Sequence, residues 1–179
     1  MRIHPHMKEI LFTNQEIEHR VKELALEISF DYKDSYPLVV GILKGSVMFC
    51  VDLLKELSID VELDFMDISS YGNSTKSSGE VRIIKDLSTH AQGRDILIVE
   101  DIIDSGKTLD YLKRLLIERG AKTVKIASLL DKPTGRKIEI EADYTGFLVP
   151  DEFVVGYGID YAERYRSLPY IAVFNQEFL

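Results

Sequence analysis

Asp95 to Leu109 reads DILIVEDIIDSGKTL, and the fold turns on this stretch. Its first part, Asp95 to Glu100, is a short continuous apolar run, the pattern of a strand buried on both faces of a parallel sheet. Two adjacent carboxylates, Glu100 and Asp101, close the run, and a third, Asp104, begins a Ser-Gly-Lys-Thr turn. A helix is expected from about Thr108 to Arg119, with Leu109, Leu112, Leu115 and Leu116 as its apolar stripe and Gly120 as its stop. Free backbone N–H groups and the positive end of the helix dipole make such a turn a phosphate cradle. Gly106 lets the backbone approach an anion, Ser105 and Thr108 supply hydroxyls, and the acids upstream suit neutral hydroxyl groups or a magnesium ion. One stretch can thus hold a ribose by its diol and its 5′-phosphate together. A triphosphate-binding P-loop does not fit, because Asp101 stands where its first glycine would fall and Glu100 beside it would repel the anion.

Outward from that core, Leu38 to Leu43 (LVVGIL) is a second buried strand, followed by Lys44-Gly45-Ser46 and an amphipathic helix to about Leu57. Upstream, Thr13 and Glu16 have the spacing of a capping box for a helix over 14–31, whose Ile17, Val21, Leu24 and Ile28 recur at helical period. Further strands are expected over 61–68 (Leu63, Phe65 and Met66 toward the core), 81–87, 124–130, 144–149, 153–157 and 170–174. Strands alternating with helices imply an α/β fold with a mainly parallel sheet flanked by helices. Ligands in such sheets sit beyond the carboxyl ends of the strands, which directs attention to Lys44, Glu100 and Asp131 onward. Ser69 to Gly79 (SSYGNSTKSSG) is small, polar and unable to form a core, so a mobile loop or a hairpin tip is expected there.

The chain has 179 residues, enough for one domain over 1–179, with 1–7 expected as a flexible extension and Met7 as an alternative start. Its net charge of -8 argues against sequence-independent nucleic-acid binding, so anion sites must come from local motifs. The single cysteine, Cys50, lies in an apolar stretch and reads as a small core filler. No signal peptide or membrane-spanning run is evident, and the cytoplasm is the expected location.

The run EDIIDSGKT at 100–108 resembles the phosphoribosyl pyrophosphate motif of the type I phosphoribosyltransferases, in the form of their hypoxanthine-guanine branch. LKGS at 43–46, SSYG at 69–72, LLDK at 129–132 and FVVGYGID at 153–160 follow in the order that branch has, from about residue 8 to the end. The resemblance implies the type I fold with a small hood and a flexible lid loop over 69–79, carrying Ser70 and Tyr71. It implies a purine-salvage transferase using magnesium, phosphoribosyl pyrophosphate and hypoxanthine or guanine, releasing IMP or GMP and pyrophosphate, as a dimer or tetramer.

The same resemblance assigns roles. Glu100 and Asp101 hold the ribose hydroxyls, Ser105, Gly106, Lys107 and Thr108 the 5′-phosphate, and Asp104 is the acid/base near purine N7. The residues alone also allow Asp104 to be a cap of the following helix. Lys44, Gly45 and Arg166 meet pyrophosphate, with a cis bond implied between Leu43 and Lys44. Lys132 donates to purine O6, Phe153 stacks on the base, and the backbone at Val154 meets its edge. Asp160, with Glu100 and Asp101, is the magnesium contact. Two rivals share the fold: a regulatory RNA-binding protein, disfavoured by the acidic charge, and a transferase for another base, disfavoured by Lys132.

Overall fold

A computed structural model describes residues 3–70 and 81–178. Six strands form the main sheet: β2 (Leu38–Leu43), β3 (Glu62–Ser70), β4 (Val81–Lys85), β5 (Asp95–Ile103), β6 (Thr123–Asp131) and β7 (Tyr144–Leu148). Their spatial order is β4-β3-β2-β5-β6-β7, parallel throughout except for the antiparallel β3–β4 edge. Three helices cover it: α1 (Asn14–Asp31), α2 (Val47–Glu56) and α3 (Lys107–Glu118). A second, antiparallel sheet, ordered β1-β9-β8, joins β1 (Met7–Phe12), β9 (Ile171–Phe174) and β8 (Val154–Val155).

Alternation along the buried strands decides which helix covers which face. Leu38, Val40 and Ile42 of β2 and Ile96 and Ile98 of β5 pack with Leu109, Leu112 and Leu116 of α3. The intervening Val39, Leu97 and Val99 pack with Ile17, Val21, Leu24 and Ile28 of α1 and with Phe49, Cys50 and Leu53 of α2. The period-2 pattern of a central strand thus sends alternate side chains into two separate cores. Cys50 is fully buried, and burial pushes its thiol up to about 12.

The register opens the sheet at one point. β2 follows β3 as far as Leu43↔Asp67, but its pairing with β5 ends at Gly41↔Val99. β5 instead continues with β6 to Ile103↔Asp131. The strand order also reverses between β2 and β5, so the crevice beyond Val99 lies at the switch point where α/β sheets bind ligands.

Several expectations change. β5 runs three residues past Glu100, because its pairing with β6 persists there. Leu63 is exposed, while Met66 is buried on the α3 side. β1 carries no clean alternation, and its partner β9 is remote in sequence. Residues 4–7, read from sequence as part of an extension, are tied down. Met7 is buried and pairs with Phe174, the His4 amide donates to the Tyr170 hydroxyl at 2.9 Å, and His6 stacks on Phe178. No helix among the described residues is long and apolar enough to cross a membrane.

The capping box at α1 is formed in full: the Glu16 amide donates to Thr13 Oγ1 at 3.3 Å, and the Thr13 amide donates to Glu16 Oε2 at 2.8 Å. Thr13→Ala is expected to cost about 1 kcal/mol in urea unfolding. An unchanged midpoint and slope would show that α1 is held by its buried stripe alone.

Candidate active site

The switch-point crevice holds a cavity of about 280 Å³. Its walls come from four chain segments: Lys44 and Gly45 after β2, Ile68 of β3, Glu100 to Gly106 with Thr108 along and after β5, and Asp160 with Arg166 beyond β8. Ten of the residues singled out from sequence therefore meet around one space: Lys44, Gly45, Glu100, Asp101, Asp104, Ser105, Gly106, Thr108, Asp160 and Arg166.

The turn at the head of α3 has the geometry of an anion cradle. Gly106 is the N-cap, in left-handed backbone at φ 80°, and no side chain caps the helix. Of its first-turn amides, that of Lys107 donates to Ser105 Oγ at 3.4 Å, and the turn keeps room for further acceptors. The reading of Asp104 as a helix cap falls away; its carboxylate stands exposed at the cavity. Lys107 opens α3 with an exposed side chain and does not line the cavity.

The two adjacent acids have different surroundings. Glu100 is buried, and its Oε1 accepts from the Asp101 amide at 3.1 Å. Burial, then the neighbouring Asp101 charge, pushes the Glu100 carboxyl well above the usual carboxylate range. Asp101 is half-buried, with Oδ1 accepting from the Ile102 amide at 2.8 Å. Its Oδ2 lies against Gly45, where any Cβ would overlap it. The Leu43–Lys44 peptide is cis, as the resemblance implies. Ser46 fixes the end of this turn: its hydroxyl is buried and donates to the Ile42 carbonyl at 2.6 Å.

The cations on the opposite wall are held by an acid that the sequence did not single out. Glu163 accepts from Lys44 Nζ at 3.2 Å and from Arg166 Nη2 at 3.3 Å, and these cations hold its carboxyl below the usual range. Arg166 also meets Asp160 Oδ1 at 3.0 Å and donates from Nη1 to the Gly158 carbonyl at 2.8 Å. Its buried Nε has no hydrogen-bond partner among the described residues. Ala162, Glu163 and Tyr165 all have positive φ, a conformation their residue types give no hint of.

Three purine-site candidates lie outside the walls of this cavity. Lys132, just past β6, pairs with Asp151 at 3.1 Å, and its amide donates to the Ile103 carbonyl at 2.9 Å. Phe153 is partly exposed and meets Tyr161 edge-on at 5.6 Å between centroids. Val154 is buried in β8. The loop expected from Ser69 starts later: Ser69 and Ser70, the first two residues of SSYG, belong to β3 and pair with Arg82 and Val81, while Tyr71 and the rest of the loop to Gly79 lie outside the described residues.

A parallel sheet that opens at its switch point onto acids and a phosphate cradle is the frame of a phosphoribosyl-binding protein. Residues 7–162 match the family model described as the phosphoribosyl transferase domain, and the chain belongs to that family. More particularly, it is 60% identical over 167 residues to the hypoxanthine-guanine phosphoribosyltransferase of Bacillus subtilis, covering 93% of each chain. The protein of that name from Streptococcus pyogenes is 50% identical over 171 residues, covering 96% of this chain and 95% of its own. A crystal structure of a hypoxanthine phosphoribosyltransferase from Staphylococcus aureus superposes with a TM-score of 0.93 at 48% identity, covering 97% of this chain and 94% of that one.

Gly45→Ala tests the packing of the two walls. The added Cβ must displace Asp101 or the turn itself, so phosphoribosyl transfer is expected to fall by roughly 10²-fold while the chain still folds. A crystal structure of the variant with Asp101 and the turn both in place would refute this account of the glycine.

Proposed function

We propose that this protein transfers the 5-phosphoribosyl group from phosphoribosyl pyrophosphate to N9 of hypoxanthine or guanine, giving IMP or GMP and pyrophosphate. The observation that carries the reading is the meeting of an acidic strand end, a phosphate cradle and a cationic wall around one cavity. The names of the relatives support the substrate class.

The reaction needs three things of these residues. The donor must be oriented, and here Glu100 and Asp101 take the ribose hydroxyls while the turn from Ser105 to Thr108, Lys107 included, takes the 5′-phosphate. The leaving group must be received: Lys44, the Gly45 backbone and Arg166 take the pyrophosphate as its bond to C1 breaks with the electron pair. Both cations exchange Glu163 for the incoming anion. As N9 bonds to C1, the purine loses its N7 proton, which Asp104 accepts. Lys132 donates to O6, and a fixed cation there disfavours the amino group of adenine. Phe153 and the Val154 backbone complete the base site, and Ser70 with Tyr71 belongs to the lid that excludes water from the oxocarbenium-like sugar.

Magnesium fits the donor set. Asp101 and Asp160 with Glu100 present carboxylate oxygens to one cavity, the ligand type this ion prefers. Among the described residues no group of three acids, histidines or cysteines is arranged as a cage. Magnesium is commonly held by one or two carboxylates together with substrate phosphate oxygens. When bound, it supplies charge neutralisation at the pyrophosphate.

Initial rates with six bases, at saturating phosphoribosyl pyrophosphate and magnesium, test the reading; preference for a pyrimidine or adenine would overturn it. Asp104→Asn is expected to lose ~10²–10⁴ in turnover with little change in stability. Activity within about threefold of the parent would remove Asp104 from the chemistry. Lys132→Gln is expected to weaken kcat/KM for hypoxanthine by ~1–3 kcal/mol and to narrow discrimination against adenine. Equal losses on hypoxanthine, guanine and adenine would assign Lys132 to stability instead.

A further inference from the structure

Asp104 and Lys132, which the proposed function places at N7 and O6 of one base, are the first residues beyond two paired strands. The β5–β6 ladder ends at Ile103↔Asp131, and the Lys132 amide still donates to the Ile103 carbonyl at 2.9 Å. Adjacent strands are about 4.8 Å apart, and O6 and N7 are neighbours on one purine edge. The ladder therefore delivers the two residues at a spacing that one base can bridge. Beyond Ile103 and Asp131, however, strand pairing no longer fixes either backbone.

The Lys132 backbone is held by its bond to Ile103, and one guanidinium ties the Asp104 backbone to the end of β6. From the short 3₁₀ turn Pro133–Gly135 the chain leads into Arg136, whose Nη1 donates to the Asp104 carbonyl at 2.9 Å while Nη2 pairs with the Asp131 carboxylate. Both side chains of that pair are mostly buried, at 17% and 13% exposure. The planar fork of arginine can address a carboxylate and a carbonyl at once in fixed directions, which the ammonium of lysine cannot. The turn also lies directly against the acid/base group, since a Cβ on Gly135 would overlap Asp104 Oδ1. Arg136 is not among the residues lining the cavity.

We propose that Arg136, anchored by Asp131, is a positioning residue that sets the offset between the proton acceptor Asp104 and the base-recognition lysine Lys132, and so couples purine selection to turnover. This rests on the transferase reading above. It separates from a merely structural role because the phosphate cradle has its own ties to the same segment. The Lys137 and Ile138 amides donate to the Ser105 carbonyl at 3.0 and 3.3 Å, and these backbone bonds do not depend on the arginine side chain.

The test is steady-state kinetics on the full chain and on Arg136→Lys, Asp131→Asn and the double variant, with hypoxanthine or guanine and phosphoribosyl pyrophosphate varied separately. For Arg136→Lys, kcat is expected to fall about ten- to a hundredfold and KM for the base to rise, because misplacement by about an ångström costs that much. KM for phosphoribosyl pyrophosphate is expected to stay within about twofold, and the double variant to be little worse than the worse single one, since both break the same link. Parent-like kcat and base KM, a parallel rise in both KM values, or losses that multiply in the double variant would each overturn the inference. Should Arg136→Lys fail to fold, the same split of KM values must appear in Asp131→Asn, and its absence there overturns the idea. A parent that transfers to neither purine refutes the function itself; an active parent with indifferent variants refutes only the role of Arg136.

Discussion

A sheet covered by helices on both faces leaves little room for polar side chains where β2 and β5 are paired, between Leu38 and Gly41 and between Ile96 and Val99. Each alternate residue of β2 and β5 must enter one of two apolar cores, and an uncompensated charge in either would cost several kcal/mol. Along β5 the acids Glu100 and Asp101 come only after its pairing with β2 has ended at Val99. Because β2 and β5 part company after Gly41 and Val99, their ends do not zip together but spread around a cavity. The acids after Val99, the cis turn after Leu43 and the segment containing Asp160 are all arranged by that one parting.

The cavity is asymmetric in charge. Glu100 sits at the buried end, where loss of solvent favours its neutral form, while Asp101 and Asp104 face outward. Lys44 and Arg166 share the exposed carboxylate of Glu163, and Asp160 and the Gly158 carbonyl take further contacts of the guanidinium. The pairs made by the exposed Glu163 contribute little to stability. They are accordingly inexpensive to exchange for another anion.

Much of this was legible in the sequence because it is local. The apolar runs at 38–43 and 95–100, the Thr13–Glu16 box and the EDIIDSGKT stretch each carry their signal within a dozen residues, and each appears in place. What the sequence hid is non-local or conformational. The strand Met7–Phe12 is defined by a partner more than 150 residues away. Glu163 enters the site through a left-handed stretch that its residue types do not announce. Arg136 reads as one more surface cation until the fold brings Asp131 and the Asp104 carbonyl to its two amino groups. The acids of the motif could be recognised from their order, whereas the residues that hold that order in space could not.

The burial of Cys50 between α2 and the sheet has a practical side. It is the only thiol in the chain, fully enclosed and with its ionisation pushed up to about 12, so almost none of it is thiolate at neutral pH. Thiol reagents act through the thiolate and need access to it. The native fold is therefore expected to react slowly with maleimides and similar labels, without replacing any residue. A cysteine introduced anywhere on the surface would be the sole reactive handle, and a dye or spin label placed there would report from one known position.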